Sequence, residues 1–176
     1  MRIRFSAFLF LALFLLSSSA QAHSMAFSAV DWDSGFLHPL QGFDHIVAMV
    51  AVGFWAAQLH HISLWVLPLT FVSVMALGGL LGTSGLTLNY AETIILLSGF
   101  VLSILAIKNV QFDLKITALM VGFFALFHGF AHGAEIADSA DLVSYSVGFM
   151  SATSLLHLAG ILFARVVYFV NRFRFN

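Results

Sequence analysis

The sequence specifies an all-α protein, a polytopic bundle of transmembrane helices. Hydrophobic residues make up 61% of its 176 positions and charged residues 9%, where soluble domains carry roughly a quarter charged. The apolar residues also fall into long runs, each near the roughly 20 residues that a membrane-crossing helix needs, separated by short polar or glycine-containing breaks. A water-soluble fold has no interior large enough to hide that much apolar surface. The net charge of -1 comes with no basic patch that could track phosphates, so nucleic acid is excluded as a partner and the lipid bilayer takes its place. There are no cysteines. Disulfides, thiolate metal sites and cysteine nucleophiles are therefore out of reach, and any bound metal must be held by nitrogen and oxygen.

The N-terminus has the parts of a secretory signal. Arg2 and Arg4 precede an apolar run at 5–16, then serines, then Ala20-Gln21-Ala22 in the small-x-small form that signal peptidase reads. A 12-residue run is short for a bilayer crossing. We therefore expect residues 1–22 to be a cleavable signal peptide and 23–176 to be the transmembrane domain; the alternative is an uncleaved first helix extended through the serines. Cleavage makes His23 the first residue, where the α-amino group and the imidazole could chelate a metal together.

Five helices are expected in the mature chain, at about 37–59, 62–81, 88–107, 114–133 and 142–170. A cleaved signal puts the N-terminus in the periplasm, and five crossings bring the C-terminus to the cytoplasm. Charge agrees: Lys108, Lys115, Arg165, Arg172 and Arg174 all fall on the expected cytoplasmic side. Asp31, Asp33, Glu135, Asp138 and Asp141 fall outside, where they would concentrate cations or simply be solvated loop acids. The expected location is the bacterial inner membrane. No internal repeat is evident, so the inverted-repeat plan of many secondary transporters is not supported.

Eight histidines in so apolar a chain need a reason, because an ionisable side chain in the membrane is costly unless paired or functional. In the first helix, His38 and His45 stand seven residues apart with Asp44 beside them, about two turns and so on one helix face. In the fourth, His128, His132 and Glu135 stand at i, i+4 and i+7, again on one face. Both clusters sit at the outward end, and Gly129, Gly133 and Gly42 are expected to let these two helices approach closely. Glu92 and His157 are further candidates to line a path. A lone buried histidine is often just a hydrogen-bonded core residue; several ionisable groups at one depth are harder to explain that way. Imidazole and carboxylate suit nickel, cobalt, zinc, copper(II) and iron, so ligand type alone does not name the ion.

These residues resemble the motifs of the HupE/UreJ family, membrane accessory proteins associated with hydrogenase and urease systems. His38, Asp44 and His45 match the family's H-x5-D-H motif, and Phe127 to Glu135 match F-H-G-x-[AV]-H-G-x-E. The stretch through Gly148, Phe149, Ala152, Thr153, Leu156, His157 and Gly160 is similar to the family's late helix. Family members commonly continue into a further C-terminal hydrophobic helix, whereas this sequence stops at Asn176. The resemblance implies a transporter with Ni2+ as first candidate cargo and Co2+ as second, no permanent cofactor, and a nickel hydrogenase or urease maturation system as the downstream partner. With no phosphate-cradling motif in the chain, transport is expected to be secondary. Imidazole protonation near pH 6.5 is expected to weaken loading in acid. The competing readings are an intramembrane metal-dependent hydrolase, a haem-binding electron carrier, a purely structural partner of another carrier, and a permease for cobalt or another metal.

Overall fold

The computed structural model describes residues 31–59, 61–136 and 141–173. The signal peptide and His23 lie outside the described residues. Those described form six helices and no strand: α1 Trp32–Gln41, α2 Phe43–Gln58, α3 Ser63–Gly82, α4 Ala91–Ile107, α5 Leu114–Glu135 and α6 Leu142–Phe173.

Each helix end has a local cause. Asp31 caps α1 through a capping box: its carboxylate accepts from the Ser34 amide at 3.3 Å while the Ser34 hydroxyl accepts from the Asp31 amide at 2.9 Å. Asp113 caps α5, accepting from the Lys115 amide at 2.8 Å. At the end of α4, Asn109 takes a left-handed conformation (φ 51°), and the Val110 amide bonds back to the Leu105 carbonyl. Hydroxyls inside the bundle turn back onto their own helices: Ser98 donates to Ile95 O at 2.6 Å and Thr117 to Asp113 O at 3.0 Å. Such back-bonding is how an apolar bundle accommodates them.

Three helices are long and apolar enough to cross a membrane, over Ser63–Gly82, Leu114–Ala134 and Leu142–Val170; α1 and α2 together make a fourth if taken as one broken span. All five segments expected to cross are helical, but the first is broken and α4 is a shorter apolar helix. At 17 residues, α4 reaches about 26 Å against a hydrocarbon thickness of about 30 Å. The expected first helix is not continuous: α1 and α2 meet at an angle of 86°. Pro39 lies inside α1 without an amide to donate, and Gly42, at φ -94° and ψ 116°, leaves the helical region altogether. The other helices fall within three residues of their expected limits at either end.

Outward faces carry large apolar side chains, among them Trp65, Leu69, Leu119 and Val143, each about 70% exposed. Water would not tolerate such a surface over several helices; lipid does. The chain is a membrane protein. Between helices, packing depends on missing side chains. A Cβ on Gly129 would run into the Met75 carbonyl, one on Gly133 into that of Gly79, and one on Gly53 into that of His157. The paired residues show α3 and α5 side by side in the same direction, and the contacts of Met49 with His157 and of Phe54 with Phe163 show α2 and α6 also running the same way. Close backbone contact of this kind replaces the hydrophobic driving force that lipid abolishes. It also corrects a partner: Gly129 and Gly133 bring α5 against α3, not against the first helix.

Candidate metal-handling site

The break at Gly42 sets the site's geometry. His38 and His45 do not share one helix face, as the spacing suggested; α1 instead folds over the start of α2 and brings their rings to 6.4 Å between centroids. Asp44 occupies the first turn of α2, where the unpaired amides favour a carboxylate. Its Oδ1 accepts a hydrogen bond from His45 Nδ1–H at 2.9 Å. That bond fixes the imidazole so that Nε2 points inward.

His45 Nε2 then meets His132 Nε2 from α5 at 2.6 Å. Two imidazole nitrogens this close share a proton, and with His45 already donating from Nδ1, a neutral His45 accepts from His132. His38 lies against the same His132 ring at 4.5 Å, and His128, one turn deeper on α5, lies 5.4 Å from the His45 ring. His45, His128 and His132 are buried, and His38 is half-buried. His128 Nδ1–H donates to the Phe124 carbonyl at 2.9 Å, leaving its buried Nε2 with no partner. Backbone acceptors that hold Nδ1–H in this way present Nε2 as the lone pair, the form in which imidazole binds metal.

The structure thus brings together His38, Asp44, His45, His128 and His132, from α1, α2 and α5 rather than from two helices. Glu135 ends α5, and its side chain is outside those described. Glu92 is exposed in the first turn of α4. His157 lies deeper on α6, where Nδ1–H donates to the Met49 carbonyl at 2.7 Å and Nε2 is buried without a partner. Among the described residues, no three His, Asp or Glu side chains are already spaced to grip a metal. Nitrogens about 2.0 Å from a tetrahedral metal lie roughly 3.3 Å apart, whereas His45 and His132 are at 2.6 Å. Loading must part them and displace the proton they share.

Sequence reasoning missed the aromatic walls. Phe149 of α6 packs on both His38 and His132, at 5.8 and 4.9 Å, and Tyr145 lies 6.1 Å from His38. Phe71 of α3 touches both His128 and His157. In a chain with 20 phenylalanines no local signal sets these apart. Beside His132 a cavity of about 260 Å³ opens between α3, α5 and α6, lined by Met75, Gly79, Gly129 and Tyr145 among others.

A membrane-embedded helical bundle that gathers four imidazoles and a carboxylate at one end defines the class: a polytopic membrane protein with a buried histidine cluster. Comparison with known proteins gives the family. The family profile described as HupE / UreJ protein matches residues 11–173, and the chain belongs to that family. It is 43% identical over 151 residues to Protein HupE of Rhizobium leguminosarum bv. viciae, covering 86% of this chain and 78% of that protein. No solved structure matches. The family is one of membrane accessory and transport proteins, not enzymes.

Proposed function

We propose that the protein carries a divalent transition-metal cation inward across the bacterial inner membrane, with Ni2+ as its principal cargo and Co2+ as the alternative. One observation carries this reading: four histidines and an aspartate, spread over three helices, converge at one end of an otherwise apolar bundle. Burying so many ionisable groups together costs several kcal/mol, which a binding role explains and packing alone does not. In this reading His38, His45, His128 and His132 receive the ion as it sheds water, and Asp44 and Glu135 contribute negative charge.

Charge supports the direction. Lys108, Lys115 and Arg165 are exposed at the end of the bundle away from the cluster, while Asp31, Asp33 and Asp141 are exposed at the cluster end. By the positive-inside tendency the cluster faces the periplasm. A divalent ion moving inward gains about 4.6 kcal/mol per 100 mV of membrane potential, so the potential is a sufficient source of drive. The choice of nickel rests on the family, whose likeness to hydrogenase and urease accessory proteins also points to a nickel-enzyme maturation system as the recipient.

The test is uptake of radiolabelled nickel by cells lacking their own importers. It compares the intact chain with His38→Ala, Asp44→Ala, His128→Ala and Glu135→Ala at matched membrane abundance, with cobalt, zinc or magnesium as competitors. Loss in all four variants is expected. Uptake by the intact chain that no variant alters would reject the cluster as the loading site, and no uptake at all would reject nickel transport.

A further inference from the structure

Beyond the cluster, the bundle holds a further imidazole whose chemistry the loading site does not use. His157 is buried, its Nδ1–H is held by the Met49 carbonyl, and its Nε2 has no partner. His128 matches it in all three respects, with Phe124 as the acceptor. A buried imidazole nitrogen without a partner is costly. Here two of them stand against the same side chain. The fully buried Phe71 ring meets His128 edge-on at 5.3 Å and 63°, and His157 at 5.0 Å and 81°.

The register of the helices places this group directly inward of the cluster. On α6, Phe149, Thr153 and His157 follow at four-residue steps along one face; Phe149 packs on His38 and His132, and Thr153 Oγ–H reaches Met75 Sδ at 3.9 Å. On α3, Met75 and Phe71 descend by the same step, and on α5 His132 leads to His128. Met75, Thr153 and the imidazoles of α5 and α6 therefore follow one another inward from the cluster, and the only aromatic ring that touches both the lowest outer imidazole and the inner one, among the described residues, is Phe71.

We propose that Phe71 is the gate of the translocation path, and that His157 Nε2 is an inner station to which the ion passes from His128 when the ring swings aside. The proposal rests on the transport reading above and adds the point at which passage is controlled. An apolar constriction excludes water and hydrated ions until it moves, and a buried phenyl ring in contact with both imidazoles is suited to be such a constriction. Phe71 does not need to bind the ion. It sets the rate of hand-over, while the cluster sets the affinity.

The experiment uses the purified full chain in proteoliposomes with radiolabelled Ni2+, reading initial uptake rate against concentration, together with equilibrium binding and thermal stability. Phe71→Leu is expected to raise maximal uptake at least about threefold and Phe71→Trp to lower it at least about tenfold, with KM and Kd within about twofold of the intact chain in both. His157→Gln is expected to lower maximal uptake at least about tenfold, again at unchanged Kd. A side chain that only packs would instead lower uptake in both Phe71 variants, in step with their stability, and that result would overturn the gate. Uptake by His157→Gln equal to that of the intact chain would overturn the inner station. If the intact chain carries no nickel, the transport reading falls and the gate with it, whereas failure of the variants alone leaves that reading in place.

Discussion

Replacing Asp44 by asparagine tests whether this carboxylate works through His45 or on the ion itself. Its Oδ1 lies 2.9 Å from His45 Nδ1, and its side chain is 26% exposed. Adding the width of the ring, about 2.2 Å, and a metal–nitrogen bond of about 2.0 Å puts the carboxylate about 7 Å from an ion on His45 Nε2. A single negative charge and a dication at that distance attract by about 4.7 kcal/mol at an effective dielectric constant of 20 and about 1.2 kcal/mol in bulk water. The partial exposure of Asp44 places the effect between these limits. Loss of a carboxylate that orients a metal-bound histidine typically weakens binding about 10- to 100-fold, or about 1.4 to 2.7 kcal/mol, which falls inside the bracket. Asparagine keeps an oxygen to accept from Nδ1–H, so the fold and the stoichiometry are expected to survive while Kd for Ni2+ rises about 10- to 100-fold, measured by equilibrium dialysis of the purified protein. A Kd within about twofold of the intact chain would show that the charge does not reach the ion through the ring. Loss of the site with the fold intact would make Asp44 a direct ligand.

Four other perturbations separate the site from its scaffold. A Cβ on Gly42 would meet His45 Nδ1 at 2.5 Å and Asp44 Oδ1 at 2.9 Å, so Gly42→Ala is expected to weaken nickel binding about tenfold by disturbing that bond, with thermal stability little changed; equal binding would show that the pair relaxes freely. Gly129→Leu, which drives a side chain into the Met75 carbonyl, is expected to lose at least about 1–3 kcal/mol of stability and to show it as a lower melting temperature in detergent. Gly122→Ala, whose added carbon finds only Thr70 and Val74 methyls at 3.5 and 3.7 Å, is the control expected to be neutral or stabilising. Protons and the ion compete for the same imidazole nitrogens, so lowering external pH from about 7.5 to about 5.5 is expected to reduce uptake as histidine protonates; a flat profile would count against imidazole ligation.

The histidine motifs were legible in the sequence because polar chemistry stands out in an apolar chain: His38, His45, His128 and His132 had few structural reasons to be there. Their arrangement was less legible. Pro39 and Gly42 were both visible, but a proline inside an apolar run is as compatible with a kinked span as with a break, and only the extended backbone at Gly42 decides between them. Small residues at four-residue spacing announce that a helix will be approached closely without saying by which neighbour, so Gly129 and Gly133 signal a close approach but not that α3 makes it. Phe71 carried no signal at all. On a helix that is apolar on every side, the buried stripe of Ser63, Leu67, Phe71 and Met75 looks the same as its lipid-facing sides.

What joins these points is that the same break does two things. A straight first helix would stack His38 two turns above His45 along one face, out of reach of a common ion with His132. The 86° bend turns that separation sideways, so that α1 becomes a cover over the end of the bundle and His38 comes down onto His132. The covering helix is held by close backbone contacts to α6, Gly35 against Tyr145 and Gly148 against Trp32, and Tyr145 and Phe149 on that same stretch of α6 pack against His38. Any movement of α1 relative to α6 therefore moves His38 relative to His132. The residues that position the outermost ligand are also those that would have to shift for the contracted His45–His132 pair to open around an ion.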